Sequence, residues 1–230
     1  MKISEKINLD KEGLMKYGPI NIVAFGDSIT HGMFGVGEID YEAVYWNRLK
    51  KKIQDVKMYV PVNVIDAGIG GATAENSVER VDSQVLTHKP DVITVCFGLN
   101  DVTGSVDKFV ASLRHIFEKC KESGSEVIYM TPNMLNTYVA EDTHEIDREY
   151  AVITAKMQNE GVMDMFMERA CECAKSCGVK VCDCYSKWKE MSMTQDTTMM
   201  LANRVNHPKR ELHELFAQGL FDILFEQKTL

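Results

Sequence analysis

The 230-residue chain has no apolar run approaching the roughly 20 residues needed to span a bilayer; its longest runs, such as residues 22–25, are strand-sized. It has no excess of positive charge. Lys and Arg number 26 against 34 Asp and Glu, a net charge of −8, and no basic run or interleaved lysine–aromatic patch occurs. Nucleic acid and anionic membrane surfaces, which call for a basic face, are therefore not expected as partners. The opening MKISEKINLDKEGLMKYG carries charges throughout and no apolar core of signal-peptide length, so the expected location is the cytoplasm. Proline, at five residues, is scarce, and no Pro/Gly/Ser-rich linker or internal repeat divides the chain. A single domain over residues 1–230 is expected. Association into a homo-oligomer stays open. No G-x-x-x-x-G-K-[ST] phosphate loop is present.

Seven cysteines is an odd number, which excludes a complete disulfide set within one chain. Five of them, Cys171, Cys173, Cys177, Cys182 and Cys184, cluster in a way that invites a metal reading. Zinc frameworks favour C-x2-4-C spacing over these gaps. Met163, Phe166, Met167, Ala170, Cys171, Ala174 and Cys177 instead follow helical spacing, so Cys171 and Cys177 read as small core hydrophobes. Cys182 and Cys184 alternate along an expected strand. No metal is expected.

What is present is an ordinary globular balance, 45% hydrophobic and 26% charged, enough to bury a sizeable core. Strand-like and helix-like segments alternate. Strands are expected over residues 22–25, 60–65, 91–97, 126–130 and 179–184, and helices over 41–53, 74–86, 106–121 and 148–177. A final helix opens at Pro208 with Leu212, Leu215, Phe216, Leu220, Ile223 and Leu224 on its apolar face. Residues 133–146 read as a long polar loop. Gly178 is a natural helix terminator. Five strands each followed by a helix imply an α/β fold, a doubly wound parallel sheet covered on both faces. In such sheets ligands bind beyond the carboxyl ends of the strands.

Those ends carry polar and glycine-rich turns. The first ends in Gly26-Asp27-Ser28, which would present a serine at the start of a helix. The second ends in a glycine turn, Gly68-Ile69-Gly70-Gly71-Ala72-Thr73, where a bare backbone can approach a ligand closely. This is also near a dinucleotide fingerprint, but Thr73 stands where its last glycine belongs. The third ends in Gly98-Leu99-Asn100-Asp101, and Asn206-His207-Pro208 lies near the carboxyl terminus. Each piece alone has a bland explanation: a capping serine, a turn asparagine, a satisfied histidine.

Taken in order on that strand–helix frame, Gly-Asp-Ser, the glycine turn, Gly-x-Asn-Asp and His-Pro resemble the SGNH hydrolases, also called GDSL esterases and lipases. The resemblance runs from about Ile22 to the last helix. It implies a three-layer, flavodoxin-like α/β/α sandwich with a five-stranded parallel sheet, and a cofactor-free hydrolysis of small-molecule esters. It also implies roles. Ser28 is the nucleophile and, through its N–H, an oxyanion donor. Gly71 and Asn100 are the other two donors, and His207 is the base. Asp27 and Asp101 are expected to support the loops that hold these groups.

The family usually has an aspartate three residues before the histidine to orient the ring. Here that position is Arg204, with Asn203 one further back. The orienting group is then the Asn203 side chain, a backbone carbonyl or a remote carboxylate such as Asp183, or else the enzyme works as a Ser28–His207 dyad. The expected substrate is a small O-acyl ester, acetyl favoured, on a carbohydrate. The loop at 133–146, with Tyr138 and His144, would form a polar specificity wall. Thioesters and lysophospholipids are alternatives with the same chemistry. A non-catalytic carbohydrate-binding relative and a flavodoxin-like nucleotide binder are alternatives of other classes.

Overall fold

The computed structural model describes residues 1–226. Two short helices, α1 (Ile3–Lys6) and α2 (Lys11–Tyr17), precede strand β1 (Ile20–Gly26). A small hairpin follows, β2 (Met33–Gly35) and β3 (Glu38–Ile39), then α3 (Tyr45–Val56), β4 (Val62–Gly68), α4 (Ala74–Ser77) and β5 (Val92–Cys96). The second half contains α5 (Val106–Glu122), β6 (Glu126–Met130), α6 (Arg148–Asn159), α7 (Val162–Ser176), β7 (Lys180–Cys182), α8 (Cys184–Ser192) and α9 (His213–Leu224).

The five long-range strands pair in parallel in the order β4-β1-β5-β6-β7. Every residue of β5 is buried, and all but Asn21 in β1, as a strand covered on both faces requires. One helical layer contains α3 packed on α9, which reaches β6 and β7; the other contains α4, α5 and α7. Periodicity explains the helices that cover the sheet. In α3 the buried residues Tyr45, Leu49 and Ile53 recur every four positions, and in α5 Phe109, Leu113, Ile116, Phe117 and Cys120 form one stripe. The α/β reading of the sequence is therefore correct.

Several boundaries differ from the pattern. The helix expected over 148–177 is two helices, because Gly161 takes the left-handed φ of 75° that starts α7 afresh. The expected strand at 179–184 stops at Cys182; Asp183 accepts from the Ser186 N–H and caps α8, which begins at Cys184. Over 74–86 only the first turn is α-helical, and the chain then winds through tighter and wider turns to His88. Pro208 does not open the last helix. It bridges Leu201 in antiparallel fashion, and α9 starts at His213 after one tight turn. On α7 the buried face is Met163, Phe166, Met167, Ala170 and Ala174, as the spacing suggested, joined by Cys173, while Cys171 and Cys177 are half-buried against the core. Among the described residues no helix is long and apolar enough to cross a membrane.

Candidate active site

Strand register sets three loops side by side. Gly26 of β1 aligns with Gly68 of β4 and with Cys96 of β5, so the chains leaving at Asp27, Ile69 and Phe97 emerge level at the carboxyl edge of the sheet. Both glycines are sterically required: a Cβ on Gly26 would overlap Thr30 Oγ1, and one on Gly68 would strike the backbone nitrogen of His31. Ser28 therefore sits in a tight turn, not at the start of the helix the sequence suggested. The His31 N–H donates to the Asp27 carbonyl (2.9 Å), and the Met33 N–H to the Ser28 carbonyl (3.0 Å), which leads directly into the β2–β3 hairpin.

His207 arrives on a loop closed upon itself. The Ala202 N–H donates to the His207 carbonyl (2.7 Å), and the Lys209 N–H to the Met200 carbonyl (3.0 Å). Asn203 is the hub of this loop. Its Oδ1 accepts from the N–H groups of Val205 (3.1 Å), Asn206 (3.0 Å) and His207 (2.9 Å). Asn203, one of the candidates to orient the imidazole, holds the backbone of His207 and makes no hydrogen bond to the ring. Across 179 positions of sequence, His207 Nε2 then meets Ser28 Oγ at 2.9 Å. Both are buried, at 9% and 4% exposure.

Burial lowers the His207 pKa to about 4, opposed by the Phe34 backbone, which favours the protonated ring. The imidazole is thus neutral near pH 7 and able to accept a proton. For Nε2 to accept from Ser28, Nδ1 must carry the ring hydrogen. Among the described residues Nδ1 has no hydrogen-bond partner of normal geometry, and no carboxylate faces it. Asp183 binds Thr131 and Ser186 instead. Arg204, with a left-handed φ of 62°, turns away and clamps Asp142 through Nε and Nη2 (2.9–3.0 Å).

The backbone donors of the first two loops fall into used and unused. The Ile69 N–H donates to the Gly26 carbonyl (3.1 Å), the Gly70 N–H to His31 Nδ1 (3.2 Å) and the Ala72 N–H to the Ile69 carbonyl (3.1 Å). Among the described residues the N–H groups of Gly71 and Ser28 have no acceptor. Gly71 adopts a φ of 76°, which only glycine takes without strain, with open space where a side chain would be. Asn100 Nδ2 donates to the Ala72 carbonyl (2.9 Å), tying the glycine loop to the third loop and leaving its second N–H available.

Asp27 and Asp101 lie beneath these groups. Asp27 Oδ1 accepts from the Ile29 N–H (2.9 Å), and Asp101 Oδ1 from the Ala74 N–H (2.8 Å) at the start of α4. The second oxygen of each is buried without a partner among the described residues. Burial raises both carboxyls to about 7, against the pull of those backbone donors.

The loop at 133–146 supports His207 and does not form a wall around Ser28. Its first residues are buried. Asn133 Nδ2 donates to the Asn206 carbonyl (2.8 Å), and the Asn136 N–H to the Val205 carbonyl (2.9 Å). Tyr138 donates to Asp196 (2.6 Å) and lines a separate polar cavity of about 480 Å³ with Gln158, Asp164 and Lys189. His144 Nδ1 accepts from the Ile146 N–H (3.3 Å) in a local turn. Asn133, Asn136 and the Phe34 backbone escaped the sequence reading because their partners lie far along the chain. Beside the donors lie two modest concavities, about 350 Å³ at Gly71 and Arg80 and about 170 Å³ at Asn100 and Thr103.

A family model described as the GDSL-like lipase/acylhydrolase family matches residues 24–215. An uncharacterized lipoprotein, YqeF of Bacillus subtilis, is 30% identical over 123 residues, 48% of this chain and 47% of that protein. An acetylxylan esterase of Geobacillus stearothermophilus is 29% identical over 140 residues, 51% of this chain and 62% of that one. The matches thus span about half to three-fifths of these curated relatives. Among solved structures, Axe2, an acetylxylan esterase from Geobacillus stearothermophilus, superposes with a TM-score of 0.69 at 22% identity, covering 89% of this chain and 94% of that one. An acetyl xylan esterase, AlAXEase, superposes at 0.68 and 21% identity over 89% and 99%. Solved catalytic mutants of Axe2 replace a serine, a histidine and an aspartate.

Proposed function

The chain belongs to the GDSL-like lipase/acylhydrolase family, and from that premise we propose that it is a serine esterase that removes small acyl groups, acetyl above all, from carbohydrate hydroxyls. The observation that carries this reading is the 2.9 Å contact between Ser28 Oγ and the neutral, buried His207 Nε2. A serine hydroxyl is a poor nucleophile until a base takes its proton. His207 accepts that proton as Oγ attacks the ester carbonyl, then gives it to the leaving alcohol; water clears the acyl-Ser28 by the reverse steps.

The oxyanion formed during attack is met by the free N–H groups of Ser28 and Gly71 and the second amide N–H of Asn100. Losing one such donor typically costs about 2.7–4 kcal/mol of transition-state stabilisation. With Arg204 where the family usually has aspartate, Ser28 and His207 act as a dyad. The Phe34 carbonyl is the polar group that favours the developing imidazolium, and the oxyanion charge raises its proton affinity as the reaction proceeds. Asp27 and Asp101 brace the loops. Near-complete burial of Ser28 and the small concavities beside Gly71 and Asn100 favour a short acyl chain. The acetyl-esterase names of the relatives favour a carbohydrate ester.

Fluorophosphonate labelling and hydrolysis of p-nitrophenyl esters test the proposal. Label should fall on Ser28, and Ser28→Ala should lower kcat by about 10^4-fold or more. Acetate should be turned over faster than long-chain esters, with acetylated xylooligosaccharides as substrates. An unlabelled Ser28 in folded protein would favour a non-catalytic carbohydrate-binding relative, the reading that the missing aspartate keeps in view.

A further inference from the structure

The glycine loop that offers the Gly71 N–H is intrinsically soft. Gly70 and Gly71 have no side chains to anchor them, and unanchored glycine explores more backbone conformations than any other residue. Catalysis by a fixed donor requires the opposite, a dipole already pointing where charge will develop. Something must stiffen the loop.

The turn after Ser28 supplies it. Its closing hydrogen bond, from the His31 N–H to the Asp27 carbonyl (2.9 Å), brings the His31 ring back over β4's exit. There His31 Nδ1 accepts from the Gly70 N–H at 3.2 Å, one peptide before Gly71. Tyr41 stacks near the ring, with centroids 6.5 Å apart and planes 28° from parallel. Met33 completes the seat: a Cβ on Gly70 would come within 2.6 Å of its sulfur, so the peptide lies close against the turn. With the N–H groups of Ile69, Gly70 and Ala72 all bound, Gly71 is left as the one free donor of residues 69–72.

We propose that His31 is a positioning residue for the oxyanion loop: by accepting from Gly70 it fixes the peptide that aims the Gly71 N–H. This rests on the esterase reading of the same site. His31 touches no reacting atom. Its effect is on the rate of the chemical step rather than on substrate binding, because the donor it aligns matters most once the oxyanion forms.

Three substitutions separate the hydrogen bond from the ring. His31→Phe keeps a ring against Tyr41 and loses the acceptor. His31→Asn loses the stack but places an amide oxygen where Nδ1 stood, and His31→Ala loses both. On an acetyl ester, H31F and H31A should each lower kcat about 10-fold with KM within about twofold of wild type, while H31N stays within about threefold in kcat. Melting temperatures, read in parallel, should not follow that order. H31F and H31A turning over like wild type, or H31N as slow as H31A, would overturn the proposal. Should H31F fail to fold, H31A against H31N gives the same contrast, since both lose the stack and only one retains an acceptor. Fluorophosphonate labelling of wild-type Ser28 keeps the two claims apart. A labelled Ser28 with fully active H31F and H31A refutes the positioning role alone, whereas an unlabelled Ser28 refutes the esterase reading and this proposal with it.

Discussion

Asn203 carries more of the site than its polar stretch of sequence suggests. One side-chain oxygen gathers three successive N–H groups, the last belonging to His207, and its amide donates to Asn206 Oδ1 (3.0 Å). Each hydrogen bond contributes about 1 kcal/mol net, but the larger consequence is geometric, since about 1 Å of misplacement can cost 10²-fold in rate. Asn203→Ala should therefore lower kcat/KM about 10- to 100-fold by letting His207 drift from Ser28. Asn203→Asp, which keeps the accepting oxygen, should stay within a few-fold of wild type. Steady-state kinetics on one acetyl ester checks both. An alanine variant with wild-type activity would mean that the flanking bonds from Ala202, Asn133 and Asn136 hold the loop unaided.

Elements are joined by a few backbone positions with special conformations. Gly161 is the clearest case: left-handed at φ 75°, it lets the chain end α6 and start α7 within two residues. A Cβ there has room, its nearest neighbour being Asp164 Oδ2 at 3.8 Å, so a substitution is penalised by backbone strain and not by packing. Gly161→Ala should cost about 1 kcal/mol, lowering Tm by about 2–4 °C. Activity should stay within a few-fold of wild type, because α6 holds the loop behind His207 through the Ala151 carbonyl and Thr154 as well as through Gln158 and Asn159 near Gly161. Thermal unfolding paired with kcat measures both.

The whole molecule balances two buried acids against two buried bases. Burial raises Asp27 and Asp101 to about 7, so their contribution to stability is fully present below about pH 4 and is lost as pH rises through about 7. Burial lowers His207 to about 4 and His213 to about 3. Their contribution is fully present above the ordinary imidazole value near 6.5 and is lost as pH falls toward those lower values. Between about pH 4 and 6.5 the two slopes oppose each other. Removing one acid should unmask the bases: relative to wild type, Asp27→Asn should gain stability from pH 4.5 to 6.5 by on the order of 2 kcal/mol, about 4–8 °C in Tm. His213→Gln, which keeps an acceptor for the Tyr45 N–H, should show the opposite trend. Identical pH dependence in wild type and both variants would show that neither Asp27 nor His213 has a titration displaced by burial.

Local chemistry wrote much of this protein into its sequence. The apolar runs of β1 and β5, the every-fourth-residue stripe of α3 and the glycines that bare the strand ends are consequences of short-range sterics and burial, so the α/β fold could be read without coordinates. Ser28, Gly71, Asn100 and His207 were legible only because their motifs, in that order, resemble a known family. Wherever a short polar signal could mean either of two things, the sequence could not choose. Asp183 read as a strand end and a distant carboxylate, yet it caps α8; the loop at 133–146 read as a wall, yet its buried first residues are a scaffold for His207. The partners of His31 and Arg204 were decided only by tertiary structure, because a hydrogen bond's acceptor depends on where the chain returns in space. Parallel register brings residues 27, 69 and 97 to one edge, and the loop at 201–208 then closes over it with nothing in the order of residues to say which face of each side chain will meet which.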